Sequence, residues 1–251
     1  MKEHLRCRFI TNMELKNKVA LVTGSTRGIG KAIVELLCKN GAIVYINSFK
    51  SKEEGEKLQR ELALRGFKAY YINANISSEV DVKRIFDIIK KEYGKLDILV
   101  NNAGFYSNNK DYETYESFHK VNGWGVYLCT IEAEKLIEKG KIINISSIYG
   151  IKPNPDSILA SGVKAEVENY TKLFANKFKG RIEVNSVAPG YTNTKIVNDN
   201  FSEGVLIELL RNTSQKRLVK PEEIADAVIF LIENDSITGQ TIVVDNGILI
   251  S

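Results

Sequence analysis

Cysteine and histidine are scarce in this sequence, and their scarcity excludes several kinds of site. The three cysteines, Cys7, Cys38 and Cys129, are odd in number and widely spaced, which predicts buried thiols in a reducing cytoplasm rather than disulfides. The two histidines, His4 and His119, are too few to hold a metal ion by themselves, and no Cys-x-x-Cys is present. We therefore expect no metal cofactor.

Long apolar runs and a strong charge bias are also missing. The longest apolar runs, such as 227–232, are far shorter than a transmembrane helix requires. Residues 1–12 lack the apolar stretch and cleavage site of a secretory signal, and we interpret them as an N-terminal extension. The 35 basic and 31 acidic residues leave a net charge of +4 without a basic run, so we expect neither a membrane nor a nucleic acid as partner.

What the sequence does have is a regular alternation of short apolar runs and longer amphipathic segments. Strands are predicted at 19–22, 43–46, 69–72, 98–100, 141–145, 181–187 and 242–244. Helices are predicted at about 28–40, 52–65, 79–93, 117–138, 157–178, 202–211 and 221–232. The strands are almost continuously apolar, which is typical of a parallel sheet covered on both faces. The pattern predicts one α/β domain over 13–251, a doubly wound, mostly parallel sheet of seven strands with helices on both faces.

A glycine-rich loop lies between the first predicted strand and the first predicted helix. Small residues let the backbone turn sharply and approach a pyrophosphate, whose charge the N-terminus of the helix favours. The loop alone is also compatible with an ordinary tight turn, but the strand before it and the helix after it are the context that nucleotide binding requires. The candidate phosphate-binding residues are Gly24, Ser25, Thr26, Arg27, Gly28, Ile29 and Gly30.

Further motifs follow the glycine-rich loop in a fixed order. Asn101-Asn102-Ala103-Gly104 comes after the fourth predicted strand, and Pro189-Gly190 comes after the sixth. The C-terminal part adds the segments 217–218, 221–225, 238–240 and 244–247. From about residue 13 to residue 250 the chain resembles the short-chain dehydrogenase/reductase family, especially its 3-oxoacyl carrier-protein reductases. The resemblance implies a single Rossmann domain, often assembled as a homotetramer.

The resemblance also implies a nicotinamide cofactor, and the end of the second predicted strand indicates which one. Proteins of this fold that prefer NAD usually place an acid there, whereas NADP needs positive charge. Here Asn47, Ser48 and Lys50 occupy the segment, and Arg27 holds a position that often faces the 2′-phosphate in relatives. These residues favour NADP, with NAD as the alternative, although Lys50 is also compatible with the start of a solvated helix.

Other cofactor contacts are implied by the resemblance alone. Asn75 and Ile76 match an Asp-Val pair of the family whose Asp contacts adenine. In relatives, the backbone after the Pro-Gly turn and a nearby Thr hydroxyl hold the nicotinamide carboxamide, which aims one face of the ring at the substrate. The remaining cofactor-binding candidates are Asn102, Ala103, Gly104, Lys164, Pro189, Gly190, Thr192 and Thr194.

The catalytic residues of the family are present except for one. Members reduce a carbonyl with a Tyr as proton donor, a Lys four residues later, a Ser beside the carbonyl and an Asn that supports the Lys. Asn122, Ser147 and Lys164 match three of these roles. The Tyr is absent, because Ala160 stands four residues before Lys164 and no shift of register restores a Tyr. Alanine has no proton to donate.

Three accounts of Ala160 remain open at this stage. The chain is an engineered variant of a working enzyme, a natural nucleotide-binding regulator or scaffold without turnover, or an enzyme in which Tyr149 or Tyr191 substitutes. For Tyr149 the sequence favours a wall of the substrate pocket over catalysis. Loss of a general acid costs on the order of 10²–10⁴ in rate, so the first account predicts an impaired oxidoreductase. The expected substrate of such an oxidoreductase is a small ketone or a 3-oxoacyl thioester, which it would interconvert with the corresponding alcohol.

Two predicted helices carry more apolar surface than one sheet can cover. The segments 117–138 and 157–178 are apolar on more than one face. A helix that covers a sheet buries a single stripe, so the remaining apolar surface needs another partner. In relatives these helices form a two-fold interface. We expect a homodimer or homotetramer of closed symmetry.

Overall fold

The computed structural model describes residues 14–107, 111–211 and 213–250, so the extension predicted at 1–12 lies outside the described residues. The strands are β1 Val19–Val22, β2 Ile43–Ser48, β3 Ala69–Asn73, β4 Ile98–Asn101, β5 Gly140–Ile145, β6 Ile182–Pro189 and β7 Thr241–Val244. The helices are α1 Gly28–Lys39, α2 Lys52–Leu64, α3 Glu79–Tyr93, α4 Tyr112–His119, α5 Gly125–Glu134, α6 Ile158–Lys177, α7 Lys195–Asn200, α8 Glu203–Arg211 and α9 Pro221–Glu233. Every predicted strand is present, and its ends lie within two residues of the prediction.

In the described part of the chain, seven strands form one sheet in the order β3-β2-β1-β4-β5-β6-β7. Each neighbouring pair is parallel. The predicted doubly wound α/β fold is therefore confirmed. The chain passes from β1 to one side of the sheet and later returns to start β4 on the other side, so the carboxyl ends of β1 and β4 flank the switch point of the sheet.

Both faces of the sheet are buried. Successive side chains of a strand point to opposite faces, so Ala20 and Val22 lie on one face and Val19 and Leu21 on the other. The first face packs with apolar residues of α1, α2 and α9, and the second with apolar residues of α3, α5 and α6. Each buried apolar Å² contributes about 25 cal/mol, which makes the two layers the main support of the loops at the strand ends.

The two cysteines in the described ranges are buried and unbridged, as predicted. Burial raises the pKa of both the Cys38 and the Cys129 thiol to about 12. Both thiols therefore stay protonated near neutral pH and act as small apolar groups in the core. Cys7 lies outside the described residues.

The prediction that one helix begins at residue 117 is wrong. Helix α4 already begins at Tyr112, because Asp111 caps its N-terminus. Oδ1 of Asp111 accepts the backbone N–H of Thr114 at 2.7 Å and satisfies a donor that the first helical turn leaves unpaired. The apolar periodicity on which the prediction depends starts later than this polar first turn.

The prediction of one continuous helix up to residue 138 is also wrong. A wider, π-helical turn over Lys120–Trp124 separates α4 from α5. In this turn the N–H of Gly125 donates to the carbonyl of Lys120, five residues earlier instead of four. Helix α5 then ends at Glu134, and Asn122 lies within the wide turn.

One helix is not predicted at all. Helix α7, Lys195–Asn200, has six residues and is mostly polar. A segment of fewer than two turns shows no apolar period, so periodicity gives no signal for it. It follows β6 directly along the chain and brings Lys195 and Val197 to the carboxyl end of the sheet.

Two further findings concern only the described ranges. None of their helices has the length and apolar character needed to span a membrane. Nor do they contain three neighbouring His, Cys, Asp or Glu side chains that could hold a metal ion.

Candidate active site

A cavity of about 760 Å³ opens at the carboxyl end of the sheet. It lies at the switch point, where open α/β sheets bind their ligands. All sequence-predicted site residues except Ser25 line it. These are Gly24, Thr26, Arg27, Gly28, Ile29, Gly30, Asn47, Ser48, Lys50, Asn75, Ile76, Asn102, Ala103, Gly104, Asn122, Ser147, Ala160, Lys164, Pro189, Gly190, Thr192 and Thr194.

The glycine-rich loop forms a backbone cradle at the N-terminus of α1. Gly24 has a φ of +59°, and a Cβ on it would lie 2.5 Å from Cα of Ala103. A Cβ on Gly30 would lie 2.7 Å from the carbonyl oxygen of Gly24. Only glycine fits at these two points, so the loop stays narrow and the first N–H groups of α1 remain open to an anion. The cradle fits a dinucleotide pyrophosphate.

Side-chain hydrogen bonds fasten this loop to the loop after β4. Oγ1 of Thr23 accepts the backbone N–H groups of Asn102 and Ala103, each at 3.0 Å. Nδ2 of Asn102 donates to the carbonyls of Thr23 and Gly24 at 2.9 and 2.8 Å. The amide of Asn102 is therefore used within the protein, and it holds two cofactor-binding segments at a fixed separation.

Asn47 has a similar role at the end of β2. Its side chain is 1% exposed, and its Oδ1 accepts the N–H of Gly24 at 3.4 Å. Its Nδ2 donates to the carbonyls of Ile72 and Ala74 at 3.2 and 3.0 Å. A neutral amide can make these three bonds at once, whereas a carboxylate could not donate to the two carbonyls. Asn47 lines the cavity, but its polar atoms bond to protein.

The prediction that Ser25 faces the cofactor is corrected by the structure. The residue is fully buried, its Oγ donates to the carbonyl of Val22 at 2.7 Å, and it accepts the N–H of Asn47 at 3.1 Å. Its hydroxyl therefore shapes the turn after β1 from inside. Sequence position alone does not separate a loop residue that faces the ligand from one that faces the core.

The residues around the cavity carry five cationic side chains and no carboxylate among the described residues. Three of the five, Arg27, Lys50 and Lys164, are among the predicted site residues. Lys120 and Lys195 are not predicted, because they come from the π-helical turn and from α7. A cavity lined by one sign of charge attracts a ligand of the other sign, so this one suits a polyanion.

Two segments beside the cradle are shaped by local hydrogen bonds. Oγ of Ser48 lies 2.8 Å from the hydroxyl of Tyr71. Oδ1 of Asn75 accepts both the N–H and the hydroxyl of Ser77, at 3.1 and 2.8 Å. The side-chain oxygen of Asn75 is thus already hydrogen-bonded within its own loop. Ile76, the next residue, contributes an apolar side chain to the cavity lining.

The three predicted catalytic residues converge from different elements. Asn122 comes from the π-helical turn, where its Nδ2 donates to the carbonyl of Phe118 at 3.0 Å. Ser147 follows β5, and its Oγ accepts the backbone N–H of Tyr149 at 3.2 Å. Lys164 lies on α6 and donates from Nζ to the carbonyl of Ile145 at 2.8 Å. All three line the same cavity.

The Lys164 side chain is partly buried where it lines the cavity. Burial lowers its pKa to about 8, while the nearby Glu168 carboxylate opposes the shift. A pKa near neutral pH lets a lysine gain or lose a proton during a reaction. Ala160 lies one helical turn before Lys164 and presents a methyl group to the cavity, so no hydroxyl reaches the lysine from that position.

Aromatic side chains form the wall opposite the cradle. The rings of Tyr106 and Phe201 are stacked with centroids 5.9 Å apart, and Tyr191 meets Phe201 edge to face at 5.6 Å. The hydroxyl oxygens of Tyr149 and Tyr191 lie 2.9 Å apart. Tyr149 and Tyr191 are singled out by the sequence, whereas Tyr106 is missed because its loop after β4 carries no periodic pattern.

Comparison with known proteins identifies the family. The family described as Enoyl-(Acyl carrier protein) reductase matches residues 24–249. A solved short-chain dehydrogenase from Burkholderia cenocepacia, in complex with NADP, superposes with a TM-score of 0.89 at 28% identity, covering 94% of this chain and 99% of the other. The chain belongs to the short-chain dehydrogenase/reductase family. Its cofactor class is therefore the nicotinamide dinucleotides, and its reaction class is oxidation–reduction.

Relatives within the short-chain dehydrogenase/reductase family match over almost their full length. An uncharacterized oxidoreductase from Methylorubrum extorquens is 35% identical over 245 residues, covering 94% of this chain and 99% of the relative. A 3-oxoacyl-[acyl-carrier-protein] reductase from Thermotoga maritima is 34% identical over 249 residues, covering 95% of this chain and 100% of the relative. A reductase of the same name from Synechocystis is 33% identical over 246 residues, covering 94% and 98%.

Gly30→Ala is expected to weaken NADPH binding by about tenfold or more, because the added Cβ would lie 2.7 Å from both the carbonyl oxygen of Gly24 and Cα of Ser25 and would displace the cradle backbone. Nicotinamide fluorescence titration measures the affinity, and far-ultraviolet circular dichroism checks the fold. Gly162→Ala on α6 is the matched control, since a Cβ there meets nothing within 4 Å. Equal affinity in both variants contradicts the cradle.

Lys164→Met is expected to be stabilised relative to the wild type at pH 7 but not at pH 10. The pKa of Lys164 falls from 10.5 to about 8 on folding, so the native state binds fewer protons between these values, and stability rises with pH across this window. Thermal unfolding of both proteins measures the difference. Exposed Lys172→Met on the same helix should show no such change. A Lys164→Met difference that is the same at both pH values would rule out the burial argument.

Proposed function

We propose that this protein binds NADP(H) and transfers a hydride between that cofactor and a carbonyl/alcohol pair. The observation that carries the proposal is one cavity that joins the glycine cradle of α1 to Ser147 and Lys164. The cofactor supplies the hydride, and residues of the chain bind, orient and protonate. The names of the Thermotoga and Synechocystis relatives support a 3-oxoacyl thioester as substrate, with a small ketone as the alternative.

The charges around the cavity support NADP over NAD. Arg27 and Lys50 flank the cradle, and the end of β2 carries the neutral Asn47 where NAD-preferring proteins carry an acid. A 2′-phosphate pairs with guanidinium and ammonium groups and is repelled by carboxylates. The Burkholderia structure in complex with NADP supports the same choice.

The residues that match the family's catalytic set, Asn122, Ser147 and Lys164, would each have a separate role. The Ser147 hydroxyl would donate a hydrogen bond to the substrate oxygen, and Lys164 would contact the ribose and favour negative charge on that oxygen. Asn122, which donates to the carbonyl of Phe118, would hold the π-helical turn in place beside Ser147 and Lys164. Thr192, with its Oγ1 donating to the carbonyl of Gly190 at 3.0 Å, fixes the turn that would hold the carboxamide. Because Ala160 stands at the family's proton-donor position, we expect slower turnover than in members that keep the tyrosine.

A second candidate is a nucleotide-binding regulator or scaffold on the same fold. The observation in its favour is Ala160, because a methyl group stands where the family has its proton donor. The glycine cradle and the cationic side chains that would bind a nucleotide are all present. The two functions differ in turnover and share cofactor binding, so binding alone does not separate them.

The oligomeric state and the cellular compartment of the protein are two further predictions. Ile158 and Leu173 on α6 are 70% and 64% exposed, which supports a homodimer or homotetramer that covers them. The free thiols of Cys38 and Cys129 support a cytoplasmic location.

Arg27→Ala is expected to weaken NADPH binding by about tenfold or more while changing NADH binding little, since only NADPH offers a 2′-phosphate to the guanidinium. Fluorescence titration with both cofactors measures the two affinities. Lys31→Ala, on α1 but outside the cavity lining, is the control and should affect neither. An equal loss for both cofactors, or tighter binding of NADH by the wild type, contradicts the preference for NADP.

Ala160→Tyr is expected to raise kcat for carbonyl reduction by a factor on the order of 10²–10⁴, because it places a phenol at the family's proton-donor position, one turn from Lys164. Steady-state NADPH oxidation against a panel of ketones and 3-oxoacyl thioesters measures the effect. Ala160→Phe supplies the same ring without the hydroxyl and should not activate. Intact NADPH binding with no turnover in the wild type or in Ala160→Tyr favours the regulator instead.

A further inference from the structure

A pair of hydroxyl groups lies in the same cavity as the methyl group of Ala160. The hydroxyl oxygens of Tyr149 and Tyr191 are 2.9 Å apart, and both residues line the cavity together with Ser147 and Lys164. Tyr149 belongs to the turn after β5 and Tyr191 to the turn after β6. Two phenol groups therefore lie in the cavity that also contains Ser147 and Lys164. They come from the turns after β5 and β6, whereas a tyrosine at position 160 would come from α6.

Tyr149 is positioned by both its backbone and its ring. Its N–H donates to Oγ of Ser147 at 3.2 Å, which ties it to the residue that would contact the substrate oxygen. Its ring packs against the buried cluster of Phe118, Ala160 and Val163. A small side chain at position 160 leaves room for this packing, so the ring of Tyr149 stands beside the place where the family tyrosine would project.

Either hydroxyl of the pair can donate the hydrogen bond between them. Burial raises the pKa of Tyr191 well above its ordinary value. Tyr191 therefore keeps its proton, and when it is the donor, the proton of Tyr149 is free to reach a ligand. The ring of Tyr191 is held edge to face on Phe201, with centroids 5.6 Å apart, which fixes the hydroxyl. An O–H donated to a phenolate stabilises the negative charge.

The other tyrosine in the wall is placed differently. The hydroxyl of Tyr106 lies 2.8 Å from Oγ of Ser157, at the start of α6, and its ring stacks on Phe201. This bond directs its hydroxyl toward the N-terminal end of α6. Tyr149, two residues after Ser147, is the better placed donor.

We propose that Tyr149 is the proton donor for carbonyl reduction in this chain and that Tyr191 is its positioning residue. The inference rests on the proposed function. A bound reduced nicotinamide would supply the hydride to the carbonyl carbon, and the π electron pair of the C=O bond would move to the oxygen. That oxygen takes the phenolic proton of Tyr149. The phenolate accepts the hydrogen bond of Tyr191 and then regains a proton from solvent.

A double-mutant cycle with Tyr149→Phe and Ala160→Tyr tests the proposal. In the wild-type background Tyr149→Phe should lower kcat by about tenfold or more, because the proposed proton donor is lost. In the Ala160→Tyr background it should change kcat little, since the new tyrosine donates the proton.

Tyr191→Phe should lower kcat without changing KM, because it keeps the ring and loses only the hydroxyl. Tyr112→Phe, exposed and outside the cavity, is the control.

A second measurement needs no turnover. The ketone that Ala160→Tyr reduces fastest is labelled with ¹³C at the carbonyl and bound with oxidised NADP, so no hydride is available. Its carbonyl stretch should lie at lower frequency in the wild type than in Tyr149→Phe, because a donated hydrogen bond weakens the C=O bond. NADPH affinity should be the same in both proteins.

The outcomes separate this inference from the proposed function. An equal loss of kcat in both backgrounds, or an unchanged carbonyl frequency, makes Tyr149 a pocket wall and overturns the inference alone. The same conclusion follows if the wild type is inactive and Ala160→Tyr is active. If neither protein turns over any carbonyl while NADPH still binds, the proposed function fails and the inference fails with it.

Discussion

Hydrogen bonds from two asparagine side chains fix the geometry on which the whole site depends. Asn102 ties the loop after β4 to the loop after β1, and Asn47 ties the end of β2 to the same loop and to the chain beyond β3. Four strand ends thereby hold fixed relative positions. Because both amides are used internally, they act on the cofactor through the shape of the backbone. The cradle exists only while these bonds are made.

The parallel sheet concentrates chemistry at one edge because every strand ends there. Asn122, Ser147 and Lys164 are far apart in sequence and come from a helical turn, a strand end and a helix, yet they border one cavity. The cations around it come from the same convergence of loops. The fold thus brings the cations, the predicted catalytic residues and the aromatic side chains to one cavity, and Ala160 adds a methyl group to its lining.

The strands and most of the cavity follow from sequence, for physical reasons that also explain the failures. Buried parallel strands must be continuously apolar, so runs such as 98–100 mark them reliably. Ser25 is wrongly assigned because the side of a turn that a hydroxyl faces depends on partners far along the chain. Tyr106 and Lys195 are missed because loops and one-turn helices have no period. The pairing of Tyr149 with Tyr191 brings together two loops that are distant in sequence, and no local pattern encodes it.

The π-helical turn at Lys120–Trp124 holds one residue more than an ordinary helical turn. Removing one residue there would return the segment to an ordinary turn and leave the buried face of α5, with Cys129 and Ala133, in place. Each residue of a regular helix advances it by about 100°, so the same deletion within α5 would rotate that face toward solvent. A deletion should therefore be tolerated in the wide turn far better than in α5.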